Sequence, residues 1–397
     1  MVFWINNPFD PLPGEGGRPL RYWLLSRALV AAGHQVVWWS SDFHHLRKRR
    51  RVVPAVYQAE GFQVRLIATS PYVSNVGLQR LRSHRRYAVS WGKEAVDAVN
   101  VRELPPPDCI VVSMPPLGLY DAAARMRERW GCRVVVDVQD AWPETFYQLL
   151  PRRLGFLGKG LFVGMRRQAA RAYRVADAIS AVSERYAELV RTNGCRVEPQ
   201  VFRLGCCLPP RCNREGAGGP LRLCYLGNLG VSYDIRTMVC GVRDLAAAGQ
   251  PVTLDVAGDG PLKEWVAATA DQAASPVRYH GYLDDTALRA CLSGCDLGVI
   301  PMWDASWVAV PNKVVDYAAA GLAVINGLSG ETRELLQQYD AGVRYEPGDV
   351  ASFKQAVSRY LQDRELLGKH QAGARRLAEA VFDAEIIYPK MARWLEG

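Results

Sequence analysis

Lys313 stands in the run Val310-Pro311-Asn312-Lys313-Val314-Val315-Asp316-Tyr317, which closes on Gly321. Pro311 suits a first helical position, because its missing N–H would be unpaired there anyway. Asn312 and Lys313 then fall in the first turn, where free amides and the helix dipole favour an anion. Lys313 adds a positive charge to the end that least favours one, unless an anion joins it. Asp316 follows one turn later, within reach of the ribose hydroxyls of a bound nucleotide. Gly321 ends the helix, and residues 322–325 read as a short buried strand. Two readings fit: a nucleotide-diphosphate site at a strand–loop–helix junction, or an ordinary helix with a solvated lysine.

Glycines recur where other apolar runs end. Gly227 and Asn228 follow a run at 221–226, and Gly258-Asp259-Gly260 follows one at 252–256. Gly281 and Tyr282 follow a run at 277–280. Gly16, Gly17 and Arg18 lie in a loop after an apolar run at 2–6. Glycine lets backbone approach a ligand closely, although a flexible connection explains Gly16 and Gly17 equally well. That loop lacks the Gly-x-Gly-x-x-Gly spacing of a dinucleotide fingerprint. Asp140 and Trp142 follow a strand-like run at 134–138. Ligands of open parallel sheets sit at the carboxyl ends of strands, which makes Asp140 a candidate acceptor-site residue. A helix cap is the alternative for it.

The elements that must position these residues alternate strand and helix through both halves, as in doubly wound α/β domains. The length, 397 residues, suits two domains. Expected bounds are 1–207 for the first domain, 208–220 for a Pro/Gly/Arg-rich linker and 221–380 for the second. A last helix in 381–397 would pack back on the first domain. A composition 49% hydrophobic and 22% charged is that of a globular protein with a large core. No run of eighteen apolar residues suggests a membrane span. The N-terminus has no basic, cleavable leader and reads as a strand, which implies the cytoplasm. Ten cysteines in such a chain read as reduced thiols, and no metal site is expected.

Charge is uneven. Residues 1–215 carry 32 Lys and Arg against 18 Asp and Glu, whereas 216–397 carry 17 against 22. The basic half attracts an acidic partner. Basic tracts at 44–51 and 80–86 read as solvated faces. They lack a nucleic-acid reader motif or interleaved stacking aromatics, so no nucleic-acid partner is expected. The segment 152–174 holds Arg152, Arg153, Lys159, Arg166, Arg167, Arg171 and Arg174 among apolar residues, with no acidic residue between Glu144 and Asp177. That mixture suits an anionic lipid surface; a core helix with arginines in solvent is the alternative.

Several of these motifs, taken in order, resemble the retaining nucleotide-sugar glycosyltransferases of family 4. They are Gly16-Gly17, Gly33-His34-Gln35-Val36, Ala257-Gly258-Asp259-Gly260-Pro261, His280-Gly281-Tyr282 and Pro311-Asn312-Lys313 with Asp316 and Gly321. The 137–144 segment and Pro-Asn-Lys are similar to a subgroup of bacterial surface-polysaccharide assembly. The resemblance implies a GT-B fold, two doubly wound Rossmann-like domains facing a central cleft. It implies transfer of a sugar from a nucleotide diphosphate to a polyprenyl-diphosphate-linked saccharide, at the inner membrane face. Lys313, Asp316 and Asp140 would carry the chemistry. Gly16, Gly17, Arg18, Gly227, Asn228, Gly258, Asp259, Gly260, Tyr282, Pro311 and Asn312 would bind the donor, with no cofactor or metal. Trp142, Arg152, Arg153, Lys159, Arg166 and Arg167 would meet acceptor or membrane. The sequence departs from the family in three places. Val308 stands where the family has the first of two Glu, with Trp303, Asp304 or Ser306 as substitutes. The loop after Gly227 lacks the usual Arg and Lys, which leaves Lys313 and Arg18. Gln139 replaces a frequent histidine. These departures keep two other readings open: a catalytically silent GT-B subunit that binds a partner or lipid, and a nucleotide-sugar epimerase of the same fold.

Overall fold

The computed structural model describes all residues except 75–76, 150–159, 211–218, 231–232 and 305–306, and the side chains of 147–149. The chain divides into two compact units, Met1–Arg203 with Ala384–Gly397, and Leu204–Asp383. Most of the linker expected at 208–220 lies outside the described residues.

In the first unit the strands are β1 (Val2–Asn6), β2 (Gln35–Ser41), β3 (Phe43–His44), β4 (Arg49–Arg50), β5 (Val56–Ala59), β6 (Phe62–Ile67), β7 (Cys109–Met114), β8 (Arg133–Val138), β9 (Ala178–Ala181) and β10 (Gln200–Val201). Eight of them form one sheet in the order β10-β9-β8-β7-β1-β2-β6-β5. All neighbours in it are parallel except β5 and β6, and β3 pairs antiparallel with β4 as a separate hairpin. The central strands β7 and β8 are mostly apolar and buried, apart from the half-buried Arg133 and the buried carboxylate Asp137 of β8, as suits strands covered on both faces. The helices are α1 (Arg21–Ala31), α2 (Leu78–Asn100), α3 (Leu119–Trp130), α4 (Val163–Val175) and α5 (Glu184–Thr192). Inside the unit, Arg21 of α1 grips Asp137 of β8 through two hydrogen bonds of 2.8 Å, and Tyr22 and Ser180 also donate to that carboxylate.

The second unit is a six-stranded, all-parallel sheet of β11 (Leu221–Leu226), β12 (Val252–Ala257), β13 (Val277–Tyr279), β14 (Leu297–Ile300), β15 (Ala323–Asn326) and β16 (Gly342–Arg344). Its order is β13-β12-β11-β14-β15-β16, so the winding reverses between β11 and β14. Its helices are α6 (Ile235–Ala247), α7 (Lys263–Ala270), α8 (Asp285–Ser293), α9 (Asn312–Ala319), α10 (Glu331–Gln338), α11 (Val350–Gln362) and α12 (Arg364–Leu377). A short π-helical turn, Ala378–Phe382, then leads to α13 (Ala384–Leu395), which belongs to the first unit. There Ala384, Tyr388, Met391, Ala392 and Leu395 share one core with Tyr22, Leu25 and Leu29 of α1.

Three expectations change. Pro311 caps α9 from outside, in extended conformation at φ −72° and ψ 150°, and Asn312 is the first helical residue. The tract 44–51 is not simply a solvated face: His44 and Arg51 are buried, and Arg51 pairs with the buried Glu15. The tract 80–86 lies on α2, with Ser83 and His84 turned inward.

Candidate functional site

The carboxyl edge of the second sheet carries the glycines. Gly227 follows β11, Gly258 and Gly260 follow β12, and Gly281 follows β13 by one residue. Their φ values are +143°, +140°, +152° and +65°, a region that side-chain-bearing residues rarely enter. The crowding has a direct measure. A Cβ on Gly258 would sit 1.8 Å from the Gly227 carbonyl oxygen, and one on Gly260 would sit 2.7 Å from the Leu229 carbonyl carbon. Backbone hydrogen bonds lock the three loops together: Gly227 N to Ala257 O at 2.9 Å, Leu229 N to Asp259 O at 2.9 Å and Gly258 N to Gly281 O at 2.7 Å. Tyr279 donates to the Gly258 carbonyl at 2.8 Å. The exposed Asn228 turns its side-chain oxygen toward Gly230 and Gly260.

Lys313 lies over this floor. Its ammonium would be 2.6 Å from a Cβ on Gly227, and it faces the rings of Tyr233 at 4.4 Å and Tyr225 at 5.3 Å. The helix that carries it starts with no acidic residue in its first turn and, among the described residues, no side-chain cap bond. A cation, a bare glycine backbone and a helix start with no acidic residue thus meet at the winding reversal of the sheet, where open α/β sheets take ligands. Asp316 sits half-buried one turn on. Beside it, Tyr317 accepts from Leu226 N at 3.1 Å and donates to Val299 O, which ties α9 to β11 and β14. Tyr282 is 66% exposed, open to a stacking partner. Pro311 is buried, while Asn312 and Asp259 are exposed. Asp304 is engaged by Ser329 N at 2.6 Å and by Arg344 at 2.8 Å, and Ser306 lies outside the described residues. The sequence reading missed Tyr225 and Tyr233. They flank Gly227 on either side, but an aromatic residue on or after a strand reads first as core.

The other predicted residues lie in the first unit. Gly16 has φ +69° and open space around it, whereas a Cβ on Gly17 would meet Pro11 at 2.9 Å. Their loop is held by Asn7, whose side chain accepts from Phe9 N and Asp10 N, and by the Arg51–Glu15 pair. Arg18 is half-buried in the same loop. Asp140 accepts from Ala141 N at 2.8 Å and from Thr145 and Trp142 at 3.1 Å each, so it organises its own loop as a cap does. Burial raises its carboxyl above the ordinary value against those hydrogen bonds. Trp142 is buried and stacks on His84, with ring centroids 5.1 Å apart. Arg166 is half-buried, and Arg167 is exposed on α4. Arg152, Arg153 and Lys159 lie outside the described residues.

Two family models match consecutive segments, a glycosyl transferase 4-like domain over residues 17–205 and glycosyl transferases group 1 over residues 220–363. With the two parallel-sheet units, these matches give the chain the GT-B fold, each half similar to a glycosyltransferase domain family. Among curated proteins it is 27% identical over 180 residues to glycogen synthase of Mycobacterium tuberculosis, 45% of this chain and 43% of that protein. The alignment thus spans less than half the length of that relative. Among solved structures, sucrose-phosphate synthase from Thermosynechococcus elongatus matches with a TM-score of 0.72 at 14% identity, over 100% of this chain and 98% of the other. HepE from Anabaena, solved with UDP and glucose, matches at 0.66 and 14%, over 100% and 99%. WaaG, a glycosyltransferase involved in lipopolysaccharide biosynthesis, matches at 0.66 and 14%, over 100% of both.

Proposed function

We propose that the protein moves a sugar from a nucleoside diphosphate to a lipid-linked saccharide, a polyprenyl diphosphate in bacterial surface-polysaccharide assembly, with retention at the anomeric carbon. One observation carries the donor half: Lys313 held over Gly227 at the start of α9. Diphosphate departure develops negative charge, and interactions that strengthen with that charge lower the barrier. The Lys313 ammonium and the amides of Asn312 and Lys313 supply them. Asp316 holds the ribose, Tyr282 meets the base, and the Gly227, Gly258 and Gly260 backbone admits the phosphates closely. The leaving phosphate takes the acceptor proton, Asp140 positions the acceptor hydroxyl, and no metal is required. HepE, bound to UDP and glucose in its solved structure, supports a nucleotide-sugar donor.

Peripheral docking on the inner membrane face belongs to the same reading. On α4, Val163, Arg167, Arg171 and Arg174 are exposed, spaced four, four and three residues apart on one helical face, and Leu161 beside them is 69% exposed. Basic residues near an anionic surface contribute about 1 kcal/mol each. Among the described residues no helix is long and apolar enough to cross a membrane.

The test is thermal shift with UDP, GDP, dTDP and CMP, with and without Mg²⁺. A ligand at 100 times its Kd adds about 2.7 kcal/mol, a visible shift. A shift with one diphosphate, lost in Lys313→Ala and Asp316→Ala, is expected. Val308, in place of a family Glu, favours the silent-subunit reading, which predicts no shift and no transfer.

A further inference from the structure

Lysine carries a point charge on a flexible four-carbon stem, so a lysine that is to meet a phosphate must be held in place by its neighbours. Around Lys313 those neighbours are two aromatic rings and a bare backbone. The ammonium is 4.4 Å from the Tyr233 ring centroid and 5.3 Å from that of Tyr225, both inside the roughly 6 Å at which a ring face attracts a cation. The rings meet edge to face, with centroids 6.0 Å apart and planes at 65°. Gly227 leaves the space that the lysine stem uses: a Cβ there would be 2.6 Å from Nζ and 2.7 Å from Cε. Among the described residues no carboxylate pairs with Lys313. The negative faces of the two rings are therefore what offsets a cation at the start of α9, where the helix dipole opposes it.

The two rings are held differently. Tyr225 belongs to β11, is fully buried and donates its hydroxyl to the Asn228 carbonyl. Tyr233 is half-buried in the loop that follows. Its N–H donates to Gly230 O at 3.1 Å, and it bridges antiparallel to Met302, just after β14. The next residue, Asp234, donates its N–H to Pro301 O at 2.7 Å. The buried Asp234 carboxylate accepts from Gly348 N at 2.6 Å and from the Tyr345 hydroxyl at 3.3 Å. The backbone at Tyr233 is thus tied to the segments that follow β14 and β16, while Lys313 arrives from α9. The contact joins a clamped loop to a helix start, and the loop sets where the ammonium rests.

We infer that Tyr233 is a positioning residue for Lys313: its ring face holds the ammonium over the Gly227 backbone before a donor arrives, so that a diphosphate meets a charge already in place. Charge fixed in advance costs no reorganisation at the moment of reaction. Tyr233 acts through Lys313 and makes no bond to the reacting atoms. The inference rests on the nucleotide-donor reading for what the ammonium then meets; the placement itself rests on the ring geometry alone. A pairing that served only the fold would leave nucleotide affinity uncoupled from the ring.

The experiment has two arms on the full-length protein. In the first, NMR of protein carrying ¹³C-labelled lysine follows the ε-methylene signal of Lys313, assigned by its disappearance in Lys313→Met. Ring currents should move that signal upfield of the other lysines in the native protein and in Tyr233→Phe, which keeps a ring, and not in Tyr233→Leu. An unshifted signal in the native protein, or a shift that survives in Tyr233→Leu, overturns the placement. In the second arm, calorimetry measures binding of the nucleoside diphosphate that raises the melting temperature. Tyr233→Leu should weaken it about tenfold, the order of one cation–ring contact, and Tyr233→Phe should restore most of the loss. In a Lys313→Met background, Tyr233→Leu should add almost nothing. Equal losses in the Leu and Phe variants, or a loss undiminished without Lys313, overturn the positioning role. Failure of the donor reading shows separately, as no binding of any nucleoside diphosphate to the unmodified protein; the lysine signal then decides the placement by itself.

Discussion

Lys313→Met removes the charge but keeps an unbranched apolar stem against Tyr233. Folding should therefore persist while turnover falls by about 10²-fold or more, the size of a lost charge-stabilising donor. Steady-state rates beside an unchanged melting temperature check this. Lys313 was legible in sequence because a lysine at a helix start is electrostatically wrong without a ligand. Tyr225 and Tyr233 were not, because their relation to Lys313 exists only after β11 and α9 come together. Asp10 shows another limit. It is buried, accepts from Tyr22 N at 3.1 Å, and burial pushes its carboxyl up from 3.8 to about 6 against that bond and the Arg21 charge. An acid with a raised folded pKa favours the protonated fold. Its stabilising contribution is complete below about pH 3.8 and is lost as pH rises through about 6. Melting temperature across pH 4–7 should fall more steeply in the native protein than in Asp10→Asn, which keeps an acceptor for Tyr22. Parallel curves for the two would remove this role. Nothing in the sequence around Asp10 announces burial, since it sits in a stretch rich in Gly and Pro that reads as a loop.

Loops act as elements too. A Cβ on Gly258 meets the Gly227 carbonyl at 1.8 Å in a backbone region side chains avoid. Gly258→Ala should cost about 2–4 kcal/mol from strain and overpacking together, read as a lower denaturation midpoint, and should weaken nucleotide binding. Strand–helix alternation made most elements of the second sheet readable, because apolar runs followed by glycine mark a parallel strand and its turn. Three kinds of element were not readable. The helix α2 hid behind its arginines, whose spacing looked like a surface tract although Ser83, His84, Tyr87 and Trp91 turn inward on one face. The strands of the β3–β4 hairpin are too short to leave a period. β5 alternates exposed and half-buried residues at the sheet edge, where burial exerts little pressure on sequence.

At the scale of the whole molecule, the last helix is not an appendage. Tyr388, Met391 and Leu395 are fully buried or nearly so, against α1. Burying three such side chains is worth about 5 kcal/mol or more, comparable to the net stability of a domain. A chain ending at residue 383 should lose the calorimetric transition of its first unit and keep that of the second; two intact transitions would contradict this. The apolar spacing of this helix fits any amphipathic helix, so the sequence itself does not specify the surface that it covers. During synthesis the same arrangement imposes a delay. The first unit emerges with a gap in its core that only residues 384–395 can fill, and roughly 180 residues of the second unit come between. At about 5–20 residues per second, that groove stays open for roughly 10–40 s, a window in which a chaperone can hold the nascent chain. A chain broken off early would never close it, and would keep that apolar surface against α1 exposed.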